Sequence, residues 1–372
     1  MKKSFSIFLV LLFVVVSLAN INLRNGVYRA ESLEISRDWM DFVELTIENG
    51  KIVKVVNDSY NVSTGLFKSN DKGYWDRMGM DLSKVYEKLT NDLVNKQNIN
   101  EVDTITGATS SVNAFKSLVQ AILERGIPNN TIVVNTSKYN LRDGVYRAEG
   151  VQPIHGWTDF LEVTIKNGMV VEAKADAFNA AGNLKTNDAG YASRMGMDPK
   201  EFYSELSQRL INAQKPSGID TITGATSSSN YVRYLYLAIL HKGQPERTIK
   251  VDFSKFAAFS LKDGIYRAEY AQPVHGWTDF LEITVKNGII VKAYADAFNT
   301  AGNLKTNDPN YGARMGMEPK RFYGILSYRI IAEQVPSGVD TLSGATSSSN
   351  SVRALLNAII QRGEAGKVIK IN

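Results

Sequence analysis

The sequence predicts an α+β fold of three tandem small domains, each an antiparallel sheet with helices packed on one face. Three observations lead to it: an internal repeat, an alternating strand–turn–strand segment in each copy, and two helical segments after that. Residues 143–243 and 263–363 align without a gap at an offset of 120. A more diverged first copy starts at Asn25 and aligns at offsets of 118 and then 117. About 100 residues per copy can form a whole small domain, so we expect three globular units rather than a solenoid.

The chain opens with a segment typical of a signal peptide. Lys2 and Lys3 precede an apolar run from Phe5 to Ala19, which is short for a membrane-spanning helix. We therefore expect residues 1–19 to be a signal peptide cleaved after Ala19, with an uncleaved anchor as the alternative. In either case the body of the protein is expected to be extracellular, at the cell surface or at the outer face of the cytoplasmic membrane.

The repeat also sets the expected domain boundaries. We expect domain 1 at residues 20–130, domain 2 at 138–247 and domain 3 at 257–372, joined by short linkers near residues 131–140 and 248–260. Each of the three units is long enough to bury a small core of its own.

The strands are clearest in the second copy. Gly144–Glu149 is a short strand candidate, and Phe160–Lys166 alternates apolar and polar residues with the period of a half-buried strand. Asn167-Gly168 is a strong two-residue hairpin turn, and Met169–Ala175 is the expected return strand. These residues predict a local antiparallel ribbon.

Two helices follow the ribbon. The segment DPKE at residues 198–201 supplies an N-cap, a proline at the first helical position and a capping-box glutamate. Phe202, Leu206 and Leu210 then recur every four residues on one helix face. A polar, glycine-containing stretch separates this helix from a second one, expected from about Asn230 to Lys242.

Composition limits the chemistry. The chain has no cysteine and three histidines, which excludes disulfides, lipid on a cysteine, Cys-ligated iron–sulfur clusters and thioether-bound haem, and disfavours a His-rich metal site. The net charge is +5, and no basic run with interleaved aromatic residues indicates nucleic-acid binding. Redox chemistry in this chain would therefore need an organic cofactor.

The loop before the last helix of each copy is the sharpest motif. It reads VDTITGAT at residues 102–109, IDTITGAT at 219–226 and VDTLSGAT at 339–346, and a serine-rich stretch follows each time. Serines and Asn230 are expected to cap the helix, whose free N–H groups and dipole favour a bound phosphate. Gly224 and Ala225 remove side-chain bulk, which lets a ligand approach the backbone. A capped turn without a ligand is the alternative.

The Asp-x-x-[Ser/Thr]-Gly-Ala-Thr pattern resembles the covalent FMN-binding domain family. That family includes the C subunit of the sodium-translocating NADH:quinone oxidoreductase, the G subunit of the Rnf complex and extracellular flavin electron-transfer proteins of Gram-positive bacteria. The resemblance covers all three copies. It implies that a flavin transferase moves FMN from FAD onto the last threonine of each motif as a phosphoester.

Carried over to this sequence, the resemblance implies three covalent FMN groups, on Thr109, Thr226 and Thr346. The other implied cofactor-binding residues are the motif aspartates and the three residues before each threonine: Asp103, Asp220, Asp340, Thr106, Gly107, Ala108, Thr223, Gly224, Ala225, Ser343, Gly344 and Ala345. A covalent bond prevents the loss of a cofactor whose free concentration outside the cell is very low.

Two further sets of residues are secondary candidates. Trp39, Trp157 and Trp277 can stack on the flavin ring, although a core or interface role is the alternative. Lys68, Lys185 and Lys305 lie in a polar loop and can stabilise an anionic reduced flavin, against a plain solvated loop. His155 and His275 are replaced by Arg37 in the first copy, so neither is expected to be essential.

The expected function is electron transfer at the cell surface, by a flavin carrier rather than a stand-alone enzyme. The expected partners are the flavin transferase, a membrane quinol or NADH dehydrogenase system as electron donor, and iron, a quinone or an extracellular reductase as acceptor. Two alternatives stay open: a non-redox repeat module for ligand binding or adhesion, and a flavin carrier subunit of a membrane reductase.

Overall fold

The computed structural model describes residue 21 and residues 23–136, 141–166, 168–256 and 261–372. The expected signal peptide at residues 1–19 lies outside the described residues. So do residues 137–140 and 257–260, which belong to the two expected linkers. The described chain contains three four-stranded sheets, each with its own helices.

The three domains repeat one element order, and only their bounds differ. Domain 1 consists of β1 (Gly26–Ser32), β2 (Trp39–Glu48), β3 (Lys51–Asn61), α1 (Lys72–Met78), α2 (Leu82–Lys96), α3 (Thr109–Arg125) and β4 (Thr131–Val134). Domain 2 consists of β5 (Gly144–Gly150), β6 (Thr158–Lys166), β7 (Met169–Phe178), α4 (Tyr191–Met195), α5 (Pro199–Ala213), α6 (Thr226–Lys242) and β8 (Thr248–Val251). Domain 3 consists of β9 (Gly264–Tyr270), β10 (Thr278–Lys286), β11 (Ile289–Phe298), α7 (Tyr311–Met315), α8 (Pro319–Glu333), α9 (Thr346–Arg362) and β12 (Val368–Ile371).

The α+β fold class is confirmed, and so is the hairpin in each copy. Within domain 1 the strand order is β3-β2-β1-β4, and the first three strands pair antiparallel, with Tyr28 opposite Leu45. The fourth strand pairs parallel with β1, with Ala30 opposite Ile132, so each sheet is mixed at this edge. The expectation of a purely antiparallel sheet missed this strand.

The fourth strands also correct the expected linkers. Residues 131–134 and 248–251, placed in linkers by the sequence, are β4 and β8, each paired with the first strand of its own domain. Four residues are too few to show strand periodicity in a sequence. Their pairing with β1 and β5 supplies the backbone hydrogen bonds that an exposed linker would take from water.

The predicted start of the first long helix is confirmed in domain 2. The Asp198 side chain accepts a hydrogen bond from the backbone N–H of Lys200, and Pro199 occupies the first helical position. In domain 1, Leu89 of α2 and Leu118 of α3 are fully buried together with Val43 and Leu45 of β2. Each such side chain contributes about 1.5–3 kcal/mol through burial. The helices thus cover one face of the sheet, as expected.

Candidate functional site

The three motif threonines occupy the same structural position. Thr109, Thr226 and Thr346 are each the first residue of a 17-residue helix: α3, α6 and α9 respectively. All three are exposed. The preceding residue, which is an alanine in every domain, is the N-cap and supplies no side-chain cap hydrogen bond. The first N–H groups of these helices are therefore free of a side-chain cap from that position, which suits a phosphate.

The expected capping by serines and Asn230 is wrong. Helix α6 begins at Thr226, four residues before Asn230, so the serines lie inside its first turn. The hydroxyl of Ser229 is buried, donates to the carbonyl of Ala225 at 2.8 Å and accepts from the N–H of Ile222 at 3.1 Å. It thus fixes the motif loop instead of capping the helix.

The motif glycines hold a conformation that side chains rarely adopt. Gly107, Gly224 and Gly344 have φ angles of 83°, 85° and 78°. A Cβ atom at Gly107 would lie 2.7 Å from Cε of Met80, and one at Gly224 would lie 3.2 Å from Cε of Met197. These positions require glycine for the backbone turn, and in domains 1 and 2 also for close packing against a methionine.

The motif aspartates are engaged with protein groups. Asp103 lies 3.1 Å from Nζ of Lys96, and this hydrogen bond holds the pKa of the Asp103 carboxyl below its usual value. The carboxylate of Asp220 accepts a hydrogen bond from Nδ2 of Asn287 in domain 3, at 3.0 Å. The backbone carbonyl of Asp340 accepts from Arg329 at 2.6 Å. In this structure the aspartates therefore anchor the beginning of each motif loop.

A buried arginine that sequence reasoning missed also shapes the loop. Arg233 of α6 is 1% exposed, donates from Nε to the carbonyl of Ile219 at 2.7 Å and from Nη2 to Thr221 Oγ1 at 2.5 Å. In domain 3, Arg353 donates from Nη1 to the carbonyl of Val339 at 3.4 Å and from Nη2 to Thr341 Oγ1 at 3.1 Å. The signal available in the sequence was an arginine seven residues after the acceptor threonine in two of the three copies.

The candidate tryptophans and lysines lie together in all three domains. Nζ of Lys185 is 5.5 Å from the ring centroid of Trp157, and the equivalent distances are 5.4 Å in domain 3 and 5.2 Å in domain 1. A tyrosine ring of the following short helix lies on the same ammonium group, Tyr191 in domain 2 at 5.5 Å. Cations over aromatic faces are attracted by the ring quadrupole.

A solvated loop is the wrong interpretation for two of the lysines. Lys185 and Lys305 are each 6% exposed, whereas Lys68 is half-buried. Burial lowers the pKa of all three ammonium groups, and nearby aspartates act in the opposite direction. Each lysine is held at the start of a short 3₁₀ turn, Lys185–Asn187 in domain 2.

A tyrosine and an aspartate complete the cluster, and sequence reasoning missed both. Nζ of Lys185 donates to the hydroxyl of Tyr203 at 3.3 Å, and this hydroxyl donates to Oδ1 of Asp159 at 2.7 Å. Burial raises the pKa of the Asp159 carboxyl and raises that of Tyr203 well above its usual value. The side chain of Ser228, in the first turn of α6, also hydrogen-bonds Tyr203. This network therefore reaches the helix turn that carries Thr226.

Equivalent residues lie together in the other domains, with the same hydrogen bonds in domain 3 and with Ser59 between Tyr86 and Asp41 in domain 1. The equivalent residues are Lys305, Tyr323, Asp279 and Ser348 in domain 3, and Lys68, Tyr86, Asp41 and Ser111 in domain 1. We call the motif helix start, together with this network and its tryptophan, site 1, site 2 or site 3 according to its domain.

The histidines that precede the site tryptophans, His155 and His275, lie in a tight turn. His155 and Gly156 form the two-residue turn between Ile154 and Trp157, with φ of 50° at the exposed histidine. Arg37 and Asp38 form the same turn in domain 1. The turn aims the tryptophan at the lysine, and any residue that tolerates positive φ can serve there.

The residues of each site fit a flavin phosphate ester. An exposed hydroxyl stands at a helix start without a side-chain cap, directly after a glycine–alanine turn. An aromatic pair lies beside an ammonium group that is buried in domains 2 and 3 and half-buried in domain 1. Among the described residues, no group of three or more potential metal ligands is found. In the same described ranges, no helix is long and apolar enough to cross a membrane.

Comparison with known proteins places the chain in a family. The model of the FMN-binding domain matches residues 41–124. A 15 kDa lipoprotein of Treponema pallidum (strain Nichols) is 39% identical over 105 residues, which cover 27% of this chain and 74% of the relative.

Two solved structures from clostridia are also similar in part. A crystal structure of a Clostridium perfringens protein has 33% identity and a TM-score of 0.28, and covers 30% of this chain and 99% of that protein. A solution NMR structure of a Clostridium thermocellum protein has 21% identity and a TM-score of 0.19, and covers 26% of this chain and 89% of that one. From the family match and the Treponema relative, the chain belongs to the FMN-binding domain family.

Proposed function

We propose that the chain is an exported electron carrier with FMN esterified to Thr109, Thr226 and Thr346. One observation carries this proposal: an exposed threonine hydroxyl stands at the first position of an uncapped 17-residue helix in each of the three domains. A helix start of this kind stabilises the negative charge of a phosphate through its N–H groups and dipole.

The side chains around each threonine have distinct proposed tasks. The motif glycine and alanine leave the backbone accessible, and the tryptophan and tyrosine offer aromatic faces. The buried lysine places a positive charge next to those faces, where low solvent exposure leaves its field poorly screened. Bound FMN supplies reversible acceptance of electrons, while these residues supply position and electrostatics.

The network behind the lysine keeps this charge in place. The hydroxyl of Tyr203 accepts from Lys185 and donates to Asp159, so the ammonium group has a fixed partner. A buried cation without a partner would instead lose its proton or turn towards water. We propose that this positive charge favours the reduced, anionic form of the flavin.

The proposed setting follows from the sequence and from one relative. The N-terminal charged and apolar run supports export, and the name of the Treponema relative, a lipoprotein, supports a membrane or surface location. Maturation requires a flavin transferase. A membrane quinol or NADH dehydrogenase system is the proposed electron donor, and iron, a quinone or an extracellular reductase is the proposed acceptor.

Mass spectrometry of the three motif loops tests the proposal. The full chain is produced with a flavin transferase, denatured and digested, and each motif peptide is expected to carry the mass of one FMN ester. Replacing all three threonines by valine is expected to remove every covalent flavin. Replacing the neighbouring exposed serines, Ser110, Ser227 and Ser347, by alanine is the matched control and is expected to leave three flavins. Release of all chromophore on denaturation, or full retention in the threonine variant, would contradict the proposal.

A further inference from the structure

One helix of domain 3 serves two sites. Helix α8 carries Tyr323 of site 3, and two residues earlier Arg321 reaches into domain 1. Arg321 donates from Nη1 to the carbonyl of Ser32 and from Nη2 to the carbonyl of Leu33, both at 2.8 Å. Its guanidinium is also 3.9 Å from the Glu31 carboxylate. A planar guanidinium that satisfies two adjacent carbonyls fixes orientation as well as distance.

The contact continues from Ser32 into site 1. The hydroxyl of Ser32 accepts a hydrogen bond from the backbone N–H of Asp41 at 3.1 Å. Asp41 accepts a hydrogen bond from Ser59, whose hydroxyl lies 3.2 Å from that of Tyr86. Tyr86 in turn hydrogen-bonds Ser111 in the first turn of α3. A continuous series of contacts therefore joins α8 of site 3 to the helix that carries Thr109.

Apolar packing supports the same interface. Val133 of β4 is fully buried and packs against Ile325 and Tyr328 of α8. A Cβ atom at Gly324 would lie 2.7 Å from Cγ2 of Val133, so glycine is what lets α8 approach this strand. Leu342, from the motif loop of site 3, packs against the same cluster.

Domain 2 lacks the residues that make this interface. The positions equivalent to Arg321, Gly324, Ile325 and Tyr328 are polar and exposed in α5: Glu201, Ser204, Glu205 and Gln208. The equivalent of Ser32 is Gly150. Because domains 2 and 3 are otherwise very similar in sequence, this difference on one helix face marks a specialised contact rather than a by-product of duplication.

Helix directions place sites 1 and 3 at the same end. Helix α3 leads directly into β4, which runs parallel to β1, so α3 runs back along the sheet and Thr109 lies near the Ser32 end of β1. Arg321 brings the first turn of α8 to that same end. Met317, just before α8, packs on Gly344, two residues before Thr346.

Site 2 points elsewhere. Lys242, the last residue of α6, is 2.7 Å from Glu333, the last residue of α8, whereas Thr226 lies at the opposite end of α6, about 24 Å away by helical rise. Domain 3 contacts site 2 through Asn287, which donates to Ser217 and Asp220 at 3.0 Å. Asn287 lies at the end of β10 that is opposite site 3, roughly 30 Å away by strand rise.

We propose that sites 1 and 3 form a close pair held by Arg321, that site 2 stands apart, and that electrons exchange directly between domains 1 and 3, out of chain order. The exchange rests on the proposed function. Each transfer oxidises one flavin by one electron and reduces the other by one, and no bond forms or breaks.

Spin-label distances test the pairing without any flavin. The chain has no cysteine, so cysteines introduced at Ser110, Ser227 and Ser347 are the only labelling positions, and each is exposed beside an acceptor threonine. Nitroxides are placed on these cysteines in pairs in the full chain, and pulsed dipolar spectroscopy measures the three distances. The 110–347 distance is expected to be the shortest. Any other order overturns the proposal.

Two interface variants test the role of the α8 contacts. Arg321→Met removes both carbonyl contacts, and Gly324→Leu forces a side chain against Val133. Each is expected to lengthen or broaden the 110–347 distance and to leave the 227–347 distance unchanged. Lys242→Met, which breaks the exposed ion pair with Glu333, is the matched control and is expected to leave the 110–347 distance unchanged. An unchanged 110–347 distance in both interface variants overturns the assignment to Arg321 and Gly324.

Flavin-loaded chains then separate this inference from the proposed function. Thr226→Ala leaves acceptors at sites 1 and 3, and Thr109→Ala leaves those at sites 2 and 3. After rapid partial reduction, the two flavins are expected to equilibrate faster in Thr226→Ala. A chain that binds no covalent flavin contradicts the proposed function and leaves the distance test standing. A loaded chain with equal or reversed rates contradicts the pairing alone.

Discussion

Sites 1 and 3 contain the same tyrosine, aspartate and lysine but connect them differently. In site 3 the hydroxyl of Tyr323 donates directly to Asp279 at 2.5 Å, and Nζ of Lys305 lies 3.9 Å from the same carboxylate. In site 1 the hydroxyl of Ser59 lies between the corresponding groups, donating to Asp41 and contacting Tyr86. The residue equivalent to Ser59 is Ala297 in domain 3.

The difference shows how one hydroxyl, that of Ser59, changes the contacts and the burial of the lysine in the same site. Lys305 is 6% exposed and lies in a closed network with Tyr323 and Asp279, whereas Lys68 is half-buried. In site 1 the backbone N–H of Asp41 also donates a hydrogen bond to the hydroxyl of Ser32. The carbonyl of Ser32 accepts a hydrogen bond from Arg321 of domain 3. The first domain therefore combines a looser internal network with an external contact.

Removal of the lysine is expected to give the largest difference in stability loss between site 3 and site 1. Lys305→Met leaves the carboxylates of Asp279 and Asp296 buried without their cation, and breaking a buried pair costs roughly 3–5 kcal/mol. Lys68→Met is expected to cost less, about 1–3 kcal/mol, because Lys68 is only half-buried and Asp41 keeps its hydrogen bond from Ser59. Hydrogen–deuterium exchange of the amides in β10 and β2 measures the loss in each domain separately.

The reference for this comparison is the unaltered domain in the same chain. Amides of domain 1 are expected to keep their protection in Lys305→Met, and those of domain 3 in Lys68→Met. Equal losses in the two variants would show that the closed network of site 3 gives its lysine no special importance.

Local signals in the sequence predicted most of the fold. Alternation over Phe160–Lys166, the turn at Asn167-Gly168 and the cap at Asp198 depend on neighbouring residues, and the corresponding strands and helix are present. Strands β4 and β8 were missed because four residues carry too little pattern and gain their stability from pairing with a distant strand.

The candidate site was predictable only in part, and the contacts between its residues were not predictable. The motif, the tryptophans and the lysines were identified from their repetition. Tyr203 and Asp159 are 44 residues apart and are joined only by tertiary packing, so nothing local marked them as partners. Similarly, Ser229 resembles a capping residue, yet its hydroxyl turns inward to the motif loop because the helix starts earlier.

Exchanging Ser59 and Ala297, the equivalent residues that distinguish the networks of sites 1 and 3, is expected to change stability less than removing the lysine does. Ala297 is fully buried, so Ala297→Ser forces a hydroxyl into a packed position and is expected to cost about 1–3 kcal/mol in domain 3. Ser59→Ala removes the hydrogen bond to Asp41 and is expected to cost about 1 kcal/mol, since Tyr86 is then free to take up the carboxylate directly.

Denaturation, monitored in each domain by hydrogen–deuterium exchange, checks both substitutions. The double variant Ser59→Ala with Ala297→Ser serves as an additivity control, because the two positions belong to different domains and their effects are expected to add. A gain of stability for Ala297→Ser, together with a loss for Ser59→Ala, would show that serine is the preferred residue at both positions, which contradicts the comparison.

The smallest expected effect is the pH dependence of stability in domain 3. Burial lowers the pKa of Lys305, whose neighbours include Asp279, Asp296 and Tyr311. Between that lowered value and about 10.4 the unfolded chain binds more protons at this lysine than the folded chain, so stability rises with pH there. Burial also raises the pKa of Tyr323, so above about 10 the unfolded tyrosine ionises first and stability falls.

The variants Lys305→Met and Tyr323→Phe separate the rise from the fall of domain 3 stability with pH. Each proton contributes at most about 1.4 kcal/mol per pH unit. Lys305→Met is expected to abolish the rise that approaches pH 10, and Tyr323→Phe the fall above it, as followed by urea denaturation at a series of pH values. A rise that persists unchanged in Lys305→Met would mean that other groups set it. Burial of Lys305 would then leave its pKa at the ordinary value, contrary to the expected lowering.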